Sequence, residues 1–317
     1  MTQVSQAPWG EVPGQGVVHL WLLQSPQLQV EILTLGATIK SVFSRGRDGR
    51  SADVVLGYDH LQGYLSDRRY LGATVGRVAN RIAKGLFVVD GVQYKLDTNN
   101  GPNAIHGGLQ GFSKALWRAE AVDAGVQLSL TSPDGDQGYP GELHVSLTYT
   151  LKEGTLTAEY RAQADKTTPI NLTNHAYFNL AGQGAPDIYD HQVSISAQWY
   201  LPVDDTSIPT GDIRPVEGTL FDLRMWKERR AARVVHPASG RVLEVWTSQP
   251  GLQFYTANYL DGSVVGKGGV PYGKHSSFCL ETQNWPDAVN QPTFPNCLLQ
   301  AGEQYHHVTR LSFTTAP

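Results

Sequence analysis

A histidine lies inside a segment that otherwise has the character of a buried strand, residues 170–180, INLTNHAYFNL. Side chains alternate between the two faces of a strand, so Thr173, His175 and Tyr177 share one face while the other face is mostly apolar. The histidine either bonds a carbonyl group in the core or offers a proton to a ligand. This segment alone leaves both interpretations open.

Two further stretches place polar groups among apolar neighbours. In GRVANRIAKG, Asn80 and Arg81 stand together inside an apolar run, and in NAIHGG, His106 precedes two glycines. Glycine lets the backbone approach another group closely, and a histidine in such a loop can point into a cleft. Taken singly, Arg81 could equally pair with a surface acid, and His106 could be an ordinary loop residue.

The stretch SFCLETQNWPDAVNQP carries a carboxylate in apolar surroundings. If it forms a strand, Cys279, Glu281 and Gln283 share one face. A carboxylate is rarely buried without a partner or a chemical task, although Glu281 could also cap a backbone turn.

Together these residues suit the chemistry of a neutral polyol. Amides, histidines and an arginine bind hydroxyl groups, and the nearby Trp285 offers an aromatic face to C–H groups. With ordinary pKa values of about 4.3 and about 6.5, Glu281 and His175 would form a base and an acid at neutral pH. Such a pair accelerates proton transfer by roughly 10²–10⁴-fold.

The histidines of the chain do not predict a metal site. No two of them show the short spacings of zinc sites, so we expect no bound metal. His306 and His307 are adjacent, would project to opposite faces of a strand, and are expected at the surface.

Composition describes an ordinary soluble protein. The chain has 317 residues, 40% of them hydrophobic and 17% charged, with a net charge of -4 and no long charged run. This composition argues against nucleic acid or a membrane surface as a partner. We find no secretory signal, no transmembrane stretch and only two cysteines, which predicts reduced thiols and a cytoplasmic location.

The elements that must position these residues are short strands. LQVEI (28–32), HVSLTYTL (144–151) and QVSISAQWY (192–200) alternate with period two, and turn-forming runs such as SPDGDQGYPGE separate them. Only DHLQGYL and MWKERRAAR favour short helices. The pattern predicts one all-β domain over residues 1–317, an antiparallel sandwich or barrel.

Six motifs in register resemble the aldose 1-epimerase (galactose mutarotase) family. They are GRVANRIAKG, NAIHGG, DGDQGYPGEL, TNHAYFNL, QPGLQFYT and FCLETQNWPDAVNQP. The resemblance implies a large antiparallel β-sandwich of the galactose mutarotase type, a supersandwich, with an aldohexose as substrate in an open cleft. It implies no cofactor, because the reaction moves only protons, and we expect a monomer or weak dimer.

The resemblance also implies roles for individual residues. Glu281 matches the general base that takes the proton from the anomeric hydroxyl, and His175 matches the general acid that protonates the ring oxygen. The residues that match sugar-binding positions are Asn80, Arg81, His106 and Gln253.

The chain departs from the family pattern after Arg224. A segment with a DHNF-like motif, whose aspartate helps to hold the sugar, is missing, and no aspartate lies between residues 223 and 260. About two strands are absent. The chain is therefore either an active enzyme with weaker sugar binding or a catalytically impaired variant, such as a splice form, that binds sugar weakly or not at all.

Other classes of protein remain as alternatives. A sugar-binding protein without turnover would not need both Glu281 and His175, and a glycoside hydrolase would usually need two carboxylates where we find one strong candidate. A purely structural role is the third alternative.

Overall fold

Most backbone hydrogen bonds join neighbouring antiparallel strands. The computed structural model describes residues 1–224 and 230–317. In chain order, the first strands are β1 (Gln3–Val12), β2 (Gly16–Gln24), β3 (Leu28–Leu33), β4 (Thr38–Arg45), β5 (Ser51–Asp53), β6 (Thr74–Val75), β7 (Arg81–Ile82), β8 (Leu86–Val89), β9 (Val92–Lys95), β10 (Ala104–Ile105), β11 (Arg118–Val122), β12 (Gly125–Ser132), β13 (Leu143–Lys152) and β14 (Thr155–Ala164).

The second half of the chain continues the same pattern. Its strands are β15 (Thr168–Pro169), β16 (Thr173–Asn174), β17 (Gln192–Ile195), β18 (Trp199–Tyr200), β19 (Arg214–Pro215), β20 (Ala232–Val235), β21 (Arg241–Thr247), β22 (Gly251–Tyr255), β23 (Val264–Val265), β24 (Pro271–Tyr272), β25 (Cys279–Gln283), β26 (Leu298–Leu299) and β27 (Gln304–Thr315). The helical segments of the described residues are α1 (Leu61–Ser66) and the single 3₁₀ turns Ala83–Gly85, Phe112–Lys114, Asp136–Gly138, Lys267–Gly269 and Ala288–Asn290.

Two large sheets form the body of the fold. One has five strands in the order β1-β2-β3-β4-β5, and the other has eight in the order β11-β12-β13-β14-β27-β21-β20-β17. Every neighbouring pair in both sheets is antiparallel. The C-terminal β27 lies between β14 and β21 and so joins the two halves of the larger sheet.

The apolar faces of the two sheets share one core. Val30 and Val42 of the smaller sheet belong to the same buried cluster as Leu147 and Leu243 of the larger one. Each such side chain contributes about 1.5–3 kcal/mol when it is fully buried. The predicted all-β antiparallel fold is confirmed, and the assignment of residues 1–317 to one domain stays a prediction.

The alternation of LQVEI and HVSLTYTL correctly predicts β3 and the buried face of β13. QVSISAQWY instead divides into β17 and β18, which belong to different sheets. α1 begins within DHLQGYL and ends one residue after it, as expected of a short helix near this stretch. In MWKERRAAR, residues 225–229 lie outside the described residues, and Ala232 and Arg233 belong to β20, so the expected helix does not include the end of this stretch. Within the described residues, no helix has the length and apolar character that crossing a membrane would require.

The segment 170–180 is extended but is not one continuous strand. Only β16 pairs regularly, with β6, and isolated bridges join Asn171 to Val78 and Phe178 to both Val55 and Phe278. Each part of the segment therefore bonds a different piece of chain. Backbone pairing therefore fixes the segment at several points, although only two of its residues belong to a regular strand.

Candidate active site

His175 and Glu281 meet although 106 positions separate them in sequence. His175 Nε2 lies 3.5 Å from Glu281 Oε1, and the two residues are only 5% and 2% exposed. Glu281 belongs to β25, whose five residues are all buried and which pairs with β22. The structure thus places the predicted acid and base side by side.

The backbone of His175 is hydrogen-bonded to the two residues that precede β6. Its N–H donates to the carbonyl oxygen of Ala73 at 2.8 Å, and its carbonyl oxygen accepts the N–H of Gly72 at 3.1 Å. The imidazole stacks with Tyr177 at 5.0 Å and with Tyr70 at 5.9 Å between ring centroids. Backbone bonds and aromatic rings together restrict the direction of the histidine.

His106 lies against the same imidazole. The two rings are edge to face with centroids 5.2 Å apart. The backbone N–H of Asn80 donates to His106 Nδ1 at 3.1 Å, so the neutral ring carries its proton on Nε2. Burial, reinforced by His175 and Arg81, holds the pKa of His106 well below its usual value. His106 is therefore a neutral hydrogen-bond donor.

The remaining predicted binding residues surround this cluster. Asn80 Nδ2 donates to Gln253 Oε1 at 3.0 Å, and Gln253 is the register partner of Glu281 across β22 and β25. Arg81 Nε donates to Asn100 Oδ1 at 2.9 Å, and its positive charge lowers the pKa of Glu281. The structure thus brings together the candidate residues, whose individual roles stay predictions.

Three residues of the cluster have left-handed backbone conformations, which also occur elsewhere in the chain. Tyr70, Asn80 and His106 have φ angles of 60°, 61° and 53°, in the left-handed region that residues with a Cβ rarely adopt. Each such residue costs on the order of 1–3 kcal/mol. Gly107 is positioned so that an added Cβ would collide with the carbonyl oxygen of Gly76, so the glycine in NAIHGG allows a close approach of backbone to backbone.

Burial changes the ionisation expected from ordinary pKa values. Desolvation raises the pKa of Glu281 to about 8, against the opposing charge of Arg81, and desolvation lowers the pKa of His175 to about 4. The expected ionised carboxylate and partly charged imidazole are therefore replaced, in the free protein at pH 7, by a protonated Glu281 and a neutral His175. Both descriptions contain one shared proton and differ only in its position.

One carboxyl oxygen of Glu281 is available to a ligand. Its Oε2 is buried without a hydrogen-bond partner among the described residues. A buried polar atom left in this way costs about 1–3 kcal/mol, which a hydroxyl group of a ligand would recover.

Donor atoms of His106, His175 and Glu281 all lie within 4.8 Å of one another, so they could surround a metal ion. Sequence spacing missed this convergence, because each residue comes from a different part of the chain. However, the Asn80 N–H bond keeps the proton on His106 Nε2, where a metal would need a free electron pair. The chemistry of the cluster suits a polyol better than a metal, and the expectation of no metal stays a prediction.

Several expectations about individual residues change. His306 is exposed, as expected, but His307 is fully buried, which makes its expected surface position wrong. His307 Nε2 bonds Thr309 Oγ1 at 2.8 Å inside the larger sheet. Cys279 and Cys297 are both free thiols, as predicted.

Two aromatic residues of the cluster were missed from sequence. Tyr70 contacts the rings of both histidines, and nothing in its sequence surroundings indicates this position. Tyr255, 6.4 Å from His175 between ring centroids, could have been found, because it lies two residues after Gln253 on the same strand face.

Comparisons with known proteins agree on one family. Residues 19–312 match the family Aldose 1-epimerase. Galactose mutarotase of Rattus norvegicus is 55% identical, with both chains covered completely, and aldose 1-epimerase of Escherichia coli K12 is 34% identical over 95% of this chain and 96% of its own. A solved aldose epimerase homologue from C. elegans covers both chains completely, with a TM-score of 0.87 at 29% identity.

The alignment with the rat protein also bears on chain length. It spans 342 positions, whereas this chain has 317 residues, so at least 25 aligned positions have no counterpart here. The predicted gap after Arg224 borders residues 225–229, which lie outside the described residues.

Proposed function

Because the chain belongs to the aldose 1-epimerase family, we propose that it interconverts the α and β anomers of a free aldohexose, galactose or glucose. The observation that carries this proposal is the buried contact of His175 with Glu281, at 3.5 Å. A base and an acid at this spacing can act on two oxygens bonded to the same carbon atom.

In the proposed reaction the shared proton first moves from Glu281 to His175, and Glu281 then takes the proton from the O1 hydroxyl while His175 donates its proton to the ring oxygen. The C1–ring-oxygen bond breaks, its electron pair stays on the ring oxygen, and O1 becomes the carbonyl oxygen of the aldehyde. Rotation about C1–C2 and closure on the other face give the second anomer, with both proton transfers reversed. The open-chain state leaves Glu281 protonated and His175 neutral, which is the state that burial favours.

The surrounding residues would bind the sugar hydroxyls. His106 offers Nε2–H as a donor, Arg81 offers the guanidinium groups that Asn100 leaves free, and the amides of Asn80 and Gln253 hold each other in place. Because each donor is already fixed by a protein partner, little side-chain entropy would be lost on sugar binding.

Polarimetry on freshly dissolved α-galactose tests this function. Wild-type protein should accelerate the approach to the equilibrium rotation beyond the rate in buffer alone. No acceleration by protein that circular dichroism shows to be folded would contradict catalysis.

A second candidate, a catalytically impaired variant, rests on the shortened segment. Leu220 and Phe221 are 97% and 59% exposed just before residues 225–229, as expected where a sheet has lost covering chain. The rotation assay separates the candidates when sugar affinity is measured beside it. Weak or absent binding together with no turnover would favour the impaired variant, whereas tight binding without turnover would favour a sugar-binding protein that is not an enzyme.

We also propose a cytoplasmic location and a monomer or weak dimer that binds neither nucleic acid nor membranes. The two free buried thiols, which fit a reducing compartment, support the location. Light scattering across a concentration series would test the oligomeric state, and a stable tetramer would contradict it.

A further inference from the structure

Strand β25 contacts both nitrogens of the His175 ring with alternate side chains. Cys279 Sγ lies 3.6 Å from Nδ1, and Glu281 Oε1 lies 3.5 Å from Nε2. The two residues share a strand face because they are two positions apart. The imidazole is thus held from two sides by one strand.

The surroundings of Nδ1 are hydrogen-bond acceptors. The histidine's own carbonyl oxygen interacts with the ring and raises the pKa of His175 slightly against the effect of burial. The other neighbour is Cys279, whose pKa is raised well above its usual value by burial, so its sulfur stays an uncharged thiol. A thiol sulfur is a weak acceptor.

We propose that Cys279 is a positioning residue whose sulfur accepts a hydrogen bond from Nδ1–H of His175 and thereby reserves Nε2 for the proton that moves. This inference rests on the proposed function. When the charged ring gives its Nε2 proton to the sugar's ring oxygen, the neutral ring keeps Nδ1–H. Its Nε2 electron pair is then free to take the proton back on ring closure.

An uncharged acceptor suits an acid better than a carboxylate would. A carboxylate at Nδ1 would stabilise the charged imidazole and raise the pKa of His175, which weakens it as an acid. The thiol of Cys279 directs the ring without adding charge. The remaining titratable groups facing the ring are the buried His106 and Tyr177 and the half-buried Tyr70 and Tyr255.

Nitrogen-15 NMR of histidine-labelled wild-type protein tests the tautomer directly. The chain has ten histidines, and the His175→Asn variant identifies the signals of His175. At neutral pH we expect Nδ1 to be protonated and Nε2 to be unprotonated. A neutral ring with its proton on Nε2 would overturn the inference, whatever the activity of the protein.

Variants of the two buried thiols then test the consequence for catalysis. Cys279→Ala should lower kcat by roughly 3- to 10-fold, the loss of one weak hydrogen bond, with little change in KM. Cys279→Ser keeps an acceptor atom and should recover most of the rate. Cys297→Ala, at the other buried free thiol, is the control for packing effects and should retain the wild-type kcat.

The outcomes separate this inference from the proposed function. An unchanged kcat in Cys279→Ala, or an equal loss in Cys297→Ala, would overturn the positioning role in an active enzyme. A wild-type protein without activity would contradict the proposed function, while the NMR signals would still decide the tautomer. If Cys279→Ala does not fold, the tautomer of His175 in the wild-type protein and the kcat of Cys279→Ser test the positioning role instead.

Discussion

Two pairs of titratable groups in the interior differ in how many of their polar atoms have a hydrogen-bond partner. Lys267 Nζ is 2.7 Å from Asp53 Oδ2 and also bonds Ser41 Oγ and the carbonyl oxygens of Lys40 and Val55. The Lys267 ammonium therefore has more acceptors than it has protons to donate.

The pair of His175 and Glu281 has fewer hydrogen bonds, and we call it the incomplete pair. The contact is 3.5 Å long, and Glu281 Oε2 has no hydrogen-bond partner among the described residues. Residues with strained φ angles flank this pair, at Tyr70, Asn80 and His106. We infer that the pair with complete hydrogen bonding stabilises the fold, whereas the pair with an unpaired oxygen is kept for a ligand.

The largest effect on activity is expected from replacing His175, the proposed acid of the incomplete pair. His175→Asn removes the proton donor but keeps a polar side chain of smaller size, so kcat should fall by roughly 10²–10⁴-fold with a much smaller change in sugar affinity. Steady-state polarimetry and sugar-binding calorimetry measure the two quantities. A fall in affinity alone would make His175 a binding residue only.

Breaking the satisfied pair should instead affect stability. Lys267→Met leaves the largely buried carboxylate of Asp53 without its charge partner, which should lower the free energy of unfolding by about 3–5 kcal/mol. Urea denaturation measures this loss, and the activity of each folded molecule should be unchanged.

The exposed pair of Lys166 and Asp134 supplies the matched control for this variant. Lys166→Met should change the stability little, because water already solvates both charges. An equally large loss in both lysine variants would contradict the distinction between the two regions.

The pH dependence of catalysis should follow the shared proton of the incomplete pair. Below about pH 4 the pair gains a second proton as His175 becomes charged, and above about pH 8 it loses its only proton from Glu281. We expect a plateau of kcat/KM between these values and a tenfold fall per pH unit outside it. A plateau confined between the ordinary pKa values of glutamate and histidine would contradict the account.

The same proton affects stability with a defined sign. Between about pH 4.5 and pH 8 the folded protein keeps the Glu281 proton that the unfolded chain has lost, so the folded state binds more protons and this contribution to stability falls as pH rises. The slope from this group is at most about 1.4 kcal/mol per pH unit. Glu281→Gln should remove it in urea denaturation at several pH values, and an unchanged slope would exclude Glu281 as its source.

Sequence patterns predicted the parts of this protein that local alternation determines. The buried face of β13 and the shared face of Cys279, Glu281 and Gln283 follow from the two-residue period of a strand. The contact of Glu281 with His175 does not follow from any local pattern, because it depends on how distant segments pack. The resemblance to a family placed these two residues together before the structure did.

Ionisation and burial were the properties that the sequence predicted least well. Ordinary pKa values describe Glu281 and His175 in water, and only the packed structure shows that desolvation favours the neutral form of both groups. His307 was misplaced for a related reason. A strand in the middle of a sheet buries one face regardless of polarity, and Thr309 supplies the hydrogen bond that makes this possible.

Anomer exchange by Glu281→Gln at saturating galactose tests the central claim most directly. The account predicts a kcat lower by roughly 10²–10⁴-fold in a protein that unfolds at no lower urea concentration than the wild type, because the amide lacks the basic oxygen but costs less to bury. Retained activity, or lost activity together with a lower unfolding midpoint, would contradict the claim that this pair is kept for chemistry.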